Sequence, residues 1–237
     1  MRGVVLALAA CYPLLAHLAV TARSPALGAA SLAVLAAAAL LPALARPSAA
    51  AWLAAGAIAA LIALAERRSW VWLPLYAPSV AGDWAGAFLF GRTLIGGRTP
   101  LVERIISLLR APGESRDPRI AAYARRLTGA WAAVLGALGL VSLALALCAT
   151  PHGILLALGI APPLRVAERT WSLYANFVEY LIAIAFFAGE YAFRHRHFPE
   201  RSSAGLVAFV RRLSAVVPRI LAEPVDRDKP ERLREQA

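Results

Sequence analysis

Four polar residues interrupt the last long apolar run of the chain: Ser172, Asn176, Glu179 and Glu190. Their spacing of +4, +3 and +11 keeps all four on one stripe of a helix. Carboxylates and amides inside a bilayer are costly and face protein or water rather than lipid. Glu179 therefore reads as a proton acceptor or headgroup ligand with Asn176 as an orienting amide. It reads equally as a structural hydrogen bond across a helix bundle. Glu190 reads mainly as the partner of Arg194, one turn on. Asp83 and His17 are the remaining candidate intramembrane groups. Asp83, between Gly82 and Trp84, could meet a polar partner, line a small water pocket or mark a break at Pro78. His17 reads as a bundle hydrogen bond before it reads as a catalytic base. Outside the apolar runs, His152, Arg165, Glu168 and Arg169 form a polar cluster by sequence alone. That cluster suits a solvated loop or the approach of an anionic headgroup.

Other chemistry is missing from the pattern. There is no GxSxG elbow, no HExxH, no P-loop, no CxxC and no DxxxD pair. No metal site or cofactor is expected. Cys11 and Cys148 lie within apolar runs and read as packing residues.

The elements that must position these residues are membrane helices. Sixty per cent of the 237 residues are apolar, mean hydropathy is +0.62, and 16% are charged. One soluble core of this size could not cover that much apolar surface. Most of it also falls in runs of bilayer-spanning length. The fold class expected is an all-α, polytopic integral membrane bundle of about six spans: 4–21, 26–45, 49–65, 70–90, 127–148 and 171–193. Together these make a bundle over 1–197, with a cytoplasmic amphipathic loop at 91–126. The first run has a passable cleavage site at Val20-Thr21-Ala22, but Tyr12, Pro13 and His17 make a poor signal core, so it is expected to be retained. With both termini inside, twenty Lys and Arg lie on the inner side and five on the outer. That asymmetry follows the positive-inside rule and accounts for the net charge of +11 without nucleic acid.

Three segments have shape without spanning. Pro100 to Arg110 presents an apolar helical face with Thr99 as cap, and Asp117-Pro118 starts the fifth helix ahead of the membrane. Residues 203–221 form an amphipathic pattern bearing Arg211, Arg212 and Arg219, suited to the anionic inner leaflet, followed by a disordered tail. Together they make 198–237 a cytoplasmic appendage. Gly153 to Ile160 is apolar but too short to cross and reads as interfacial or re-entrant. Gly129, Ala133, Gly136 and Gly139, and likewise Gly56, Ala60 and Ala63, offer small faces for close helix packing.

The stretches Phe90-Gly91-Arg92-Thr93-Leu94 and Thr99-Pro100-Leu101-Val102-Glu103-Arg104 resemble an "FGxTL … PLIER" segment. Tyr123-Ala124-Arg125-Arg126-Leu127-Thr128 with Trp131 resembles "YxRRxT…W". Tyr174 to Tyr180 and Phe187 to Tyr191 continue the likeness, and Cys11-Tyr12-Pro13 adds a weaker match. The family is that of uncharacterised bacterial membrane proteins from aryl-polyene (xanthomonadin-type) pigment clusters. The resemblance covers roughly residues 76 to 196 and extends neither to Asp83 nor to the tail. Relatives sit beside ketosynthases, dehydratases, acyl carrier proteins and acyltransferases. The resemblance implies an accessory role in the bacterial inner membrane, handing a polyene acyl chain to the membrane or seating the enzymes there. Membrane lipids, an acyl carrier protein or other biosynthetic enzymes are the implied partners, met by Arg104, Arg125 and Arg126 and by the basic helix of the appendage. A small proton-coupled transporter or lipid flippase is the alternative from the intramembrane carboxylates. A lipid-acting enzyme with Glu179 or His17 as base is a third, for which no second catalytic group is assignable.

Overall fold

Turn chemistry at the short breaks makes separate helices of the apolar runs. The structure, a computed structural model, describes residues 2–46, 48–109 and 118–197. Helix α1 (Arg2–Ala22) stops where Arg23 adopts φ 51°. There the Arg23 amide donates to the Val20 carbonyl and the Ser24 amide to the Ala19 carbonyl. This is the left-handed helix stop that commonly takes glycine. Ser24 then caps α2 (Pro25–Leu44), its hydroxyl accepting from the Leu27 amide at 3.3 Å, while Pro25 opens the helix. Ser48 caps α3 (Ala49–Arg67) in the same way through Ala51.

A second left-handed stop closes α3 at Ser69, φ 55°, with the Trp70 amide on the Ala65 carbonyl. Ser69 is exposed, so only its backbone conformation is at stake. Ser69→Gly is expected to raise stability by roughly 0.5 kcal/mol, relief of Cβ strain outweighing the added freedom of the unfolded chain. Thermal unfolding in detergent checks this, and a lowered midpoint would refute it.

The chain continues through α4 (Trp72–Gly91), a 3-10 turn (Arg92–Leu94), α5 (Leu101–Leu109) and α6 (Pro118–Cys148). After α6 come the single turn α7 (Ile154–Ala157) and α8 (Glu168–Leu173). A π-helical turn (Tyr174–Val178) joins α8 to α9 (Glu179–His197). The two-residue strands β1 (Ala149–Thr150) and β2 (Val166–Ala167) pair in parallel between α6 and α8. The fold is an all-α membrane helix bundle.

Five helical stretches are long and apolar enough to cross a bilayer: Gly3–Ala22, Pro25–Leu44, Ala49–Arg67, Pro118–Cys148 and Glu168–Arg196. The expected span at 70–90 does form a helix of 20 residues, α4, but it is not among the five. Pro74, Pro78, Ser79 and Asp83 dilute its apolar character. Helix α6 starts at Pro118 as the sequence indicates. The first amides of α5 find caps other than the expected Thr99: Leu101 donates to the Thr93 hydroxyl at 3.1 Å and Val102 to that of Thr128 at 3.2 Å. The segment 153–160 forms only one turn before a glycine stop at Gly159. Cys11, expected to pack, is exposed. The amphipathic pattern at 203–221, the tail, and with them Arg211, Arg212 and Arg219 lie outside the described residues.

Contacts gather the chain into two compact units. The first comprises Met1–Gly82 and Leu138–Ile182. Its core joins Tyr12, Ala16 and Val20 of α1 to Trp72, Leu75 and Tyr76 of α4, with Ala146, Ala149 and Trp171. Close approach at α2 needs Gly28, where a Cβ would lie 3.2 Å from the Val71 side chain. Helix α3 buries none of its residues, and Trp52, Leu53, Leu61 and Leu64 are exposed, as suits a helix solvated by lipid. Its expected small face at Gly56 meets open space instead of a neighbour.

The second unit comprises Asp83–Ala137 and Ala183–Ala237. Here the small face of α6 is used: Gly136 approaches Ala87, Gly129 approaches Leu94, and Gly86 of α4 accommodates Leu135.

Candidate functional site

In the first unit, α8, the π turn and the start of α9 carry a row of buried polar side chains. Glu168, Ser172, Asn176 and Glu179 are each at most 8% exposed. The Asn176 amide donates to the Ser172 carbonyl at 2.9 Å and to its hydroxyl at 3.2 Å. His17 Nδ1 meets the same hydroxyl from α1 at 3.1 Å, and the His17 ring sits edge-on to Phe177. Tyr12, buried in α1, lies within electrostatic reach of Glu179 and Tyr180. Thus three of the expected residues, His17, Asn176 and Glu179, are brought into one unit around one helix. A π turn widens the helix at Asn176, a distortion often found where a helix presents side chains for function.

At the top of that row the structure adds residues outside the expected intramembrane set. Glu168 accepts from the Tyr76 hydroxyl at 3.1 Å, from the His152 backbone amide at 3.1 Å and from His152 Nδ1 at 3.0 Å. The His152 ring stacks on Trp72, with centroids 4.9 Å apart. Tyr76 in turn packs edge-on against Trp171 at 4.3 Å. The loop is held by the β1–β2 pairing and by the Thr150 hydroxyl on the Val166 carbonyl. A Cβ at Gly153 would run into the Ala149 carbonyl oxygen, so that turn requires glycine. His152 and Glu168 are legible in sequence as members of a polar loop cluster. Their pairing, and the part of Tyr76, are not, because Tyr76 looks like any aromatic of an apolar run. Arg165 and Arg169, the other members of that cluster, are exposed.

The second unit holds a different feature, a groove of about 520 Å³ between α6 and α9. Helix α6 contributes Tyr123, Arg126, Leu127 and Ala130, and α9 contributes Phe186, Gly189, Glu190 and Phe193. On both helices these positions recur at three- and four-residue steps, so each wall is one helical face. Small side chains at Ala130 and Gly189 leave the space open. Phe186 also packs edge-on to Trp131. The polar end of the groove is made by Glu190, which pairs with Arg194 at 3.4 Å and accepts from the Tyr123 hydroxyl at 3.0 Å. Glu190 is thus the ion-pair partner that its spacing from Arg194 indicates. Arg126 is exposed and makes no ion pair among the described residues.

The remaining expected residues separate. Arg125 donates to the Leu94 carbonyl at 3.0 Å, tying α6 to the loop after α4. Arg104 is half-buried on α5. Asp83 is half-buried in α4 and makes no hydrogen bond among the described residues. Compared with protein-family models, with curated proteins and with solved structures, the chain matches none.

Proposed function

We propose that this protein is an accessory component of the bacterial inner membrane, with both termini cytoplasmic, that receives a carrier-bound acyl chain and seats it in the bilayer. The observation that carries the reading is the α6–α9 groove. Its walls are apolar along Leu127, Ala130, Phe186 and Phe193, and they include the guanidinium of Arg126, which makes no ion pair among the described residues. Its volume lies within the roughly 300–1,000 Å³ of ligand sites. An extended acyl chain fits such walls, and Arg126 suits a phosphate or the acidic surface of an acyl carrier. The aryl-polyene character of the product rests on the resemblance of the Phe90–Arg104 and Tyr123–Trp131 segments. The residues of those segments tie one unit together: Thr93 and Thr128 cap α5, Arg125 holds Leu94, and Tyr123 holds Glu190.

The test uses a pigment-making strain lacking this gene and the visible spectrum of its solvent extract. The polyene band is expected to disappear and to return with the wild-type gene but not with Gly189→Trp. That glycine lines the groove and has no atom within 4 Å of its would-be Cβ, so a side chain can start there and indole would occupy groove space. Arg126→Glu is expected to slow acyl-carrier binding about tenfold at low salt, the effect shrinking as salt screens it. Arg126 is the cleaner choice than Arg125, whose replacement also breaks the bond to Leu94. A pigment band restored in full by Gly189→Trp would dismiss the groove as the site.

The buried carboxylates of the first unit favour a second reading, a proton-coupled transporter or flippase.

A further inference from the structure

The groove leaves the polar row of the first unit unexplained. Side chains there to hold helices together need not include two carboxylates, and burying each is costly. The row also begins at a group that is not buried. The His152 side chain is 41% exposed, while that of Glu168 beside it is 10% exposed. An ionised carboxylate only accepts, so the proton between them sits on His152 Nδ1, and Nε2 is left as the basic nitrogen. The ring is fixed in that orientation. Trp72 lies against its face, and the His152 backbone amide binds the same Glu168 oxygen. The groups set against the imidazole are therefore Glu168 of α8, Trp72 of α4 and, through the carboxylate, the Tyr76 hydroxyl. A histidine retained only for packing would bury its ring edge.

We propose that His152 and Glu168 are the proton-uptake port of the polar row, in which the Ser172 hydroxyl and the His17 imidazole are the relay groups, Asn176 orients that hydroxyl, and Glu179 is the inner acceptor. A proton from the aqueous phase at the α6–α8 connection adds to Nε2, and the proton on Nδ1 passes to Glu168. The imidazole is neutral before and after, and the carboxylate becomes a carboxylic acid. One turn along the helix, the Ser172 hydroxyl stands between the His17 ring and the Asn176 amide, at 3.1 and 3.2 Å. Two turns beyond Ser172 lies Glu179, which can hold the proton within the apolar part of the bundle. This activity does not depend on the acyl-handling reading, because all of its residues belong to the other unit.

The test is proton flux into phosphatidylcholine vesicles carrying the full chain and an internal pH-sensitive dye, driven by a potassium diffusion potential with valinomycin. Wild type is expected to exceed protein-free vesicles. His152→Asn keeps a donor where Nδ1 stands but has no second basic nitrogen, and its flux is expected to fall to the protein-free level with thermal unfolding unchanged. Ser172→Ala, the second variant, removes the central hydroxyl at little change in volume and is expected to show the same loss. Wild-type flux no greater than that of protein-free vesicles, or undiminished flux in either folded variant, overturns the proposal.

Discussion

Glu168→Leu is expected to destabilise the protein by about 3–5 kcal/mol, the cost of removing one member of a buried, hydrogen-bonded charge site. The carboxylate is the common acceptor for the Tyr76 hydroxyl, the His152 backbone amide and the His152 ring. Leucine would leave all three donors without their acceptor, two of them in a loop already constrained by the β1–β2 pairing. Glu168→Gln keeps one oxygen as acceptor and is expected to cost only about 1–2 kcal/mol. Tyr76→Phe, which removes one donor and leaves the other two paired, should cost about 1 kcal/mol. Denaturant unfolding in detergent micelles compares the three. Equal losses for Leu and Gln would show that the carboxylate oxygens are not what the loop depends on.

Trp171→Ala is expected to cost about 3 kcal/mol, chiefly through the cavity it leaves. Trp171 is 2% exposed and is the largest fully buried side chain among the described residues. Its ring lies against Tyr76, which in turn holds Glu168. In a membrane the transfer of apolar surface contributes less, since lipid tails solvate it too. Lost dispersion contacts then account for most of the effect, which places the figure at the low end of the aromatic-to-alanine range. Trp171→Phe should cost less than half as much. It keeps most of the ring contact and removes an indole N–H that is buried without a hydrogen-bond partner among the described residues. The same unfolding measurement decides. A phenylalanine variant as unstable as the alanine variant would mean that the indole nitrogen, not packing, carries the site.

The two substitutions report on one cluster, because Glu168, Tyr76 and Trp171 touch in series. The double variant of Tyr76→Phe and Trp171→Phe is therefore not expected to show additive losses.

The all-α membrane class was legible in the chain itself, because apolar runs of bilayer length with turn signals between them admit few other structures. The starts of α2, α3 and α6 were legible for the same local reason: Ser24, Ser48 and Pro118 act on their own first turns. The Glu190–Arg194 pair was readable too, since i and i+4 are neighbours on any helix. Pairings across the fold were not. A helical period says which residues share a face, and it does not say which other helix that face will meet. Tyr76 and Glu168 are 92 residues apart, and His17 and Ser172 are 155. The cap of α5 illustrates the limit. Thr99 stands nearest in sequence, yet Thr93 and Thr128 take the amides because the chain between helices folds back on α6. The groove depends likewise on how α6 and α9 meet, with Ala130 and Gly189 among its lining residues. Local backbone chemistry was enough to make the helices. Only their packing brought a tyrosine and a histidine to the buried carboxylate of Glu168, and a tyrosine of another helix to that of Glu190.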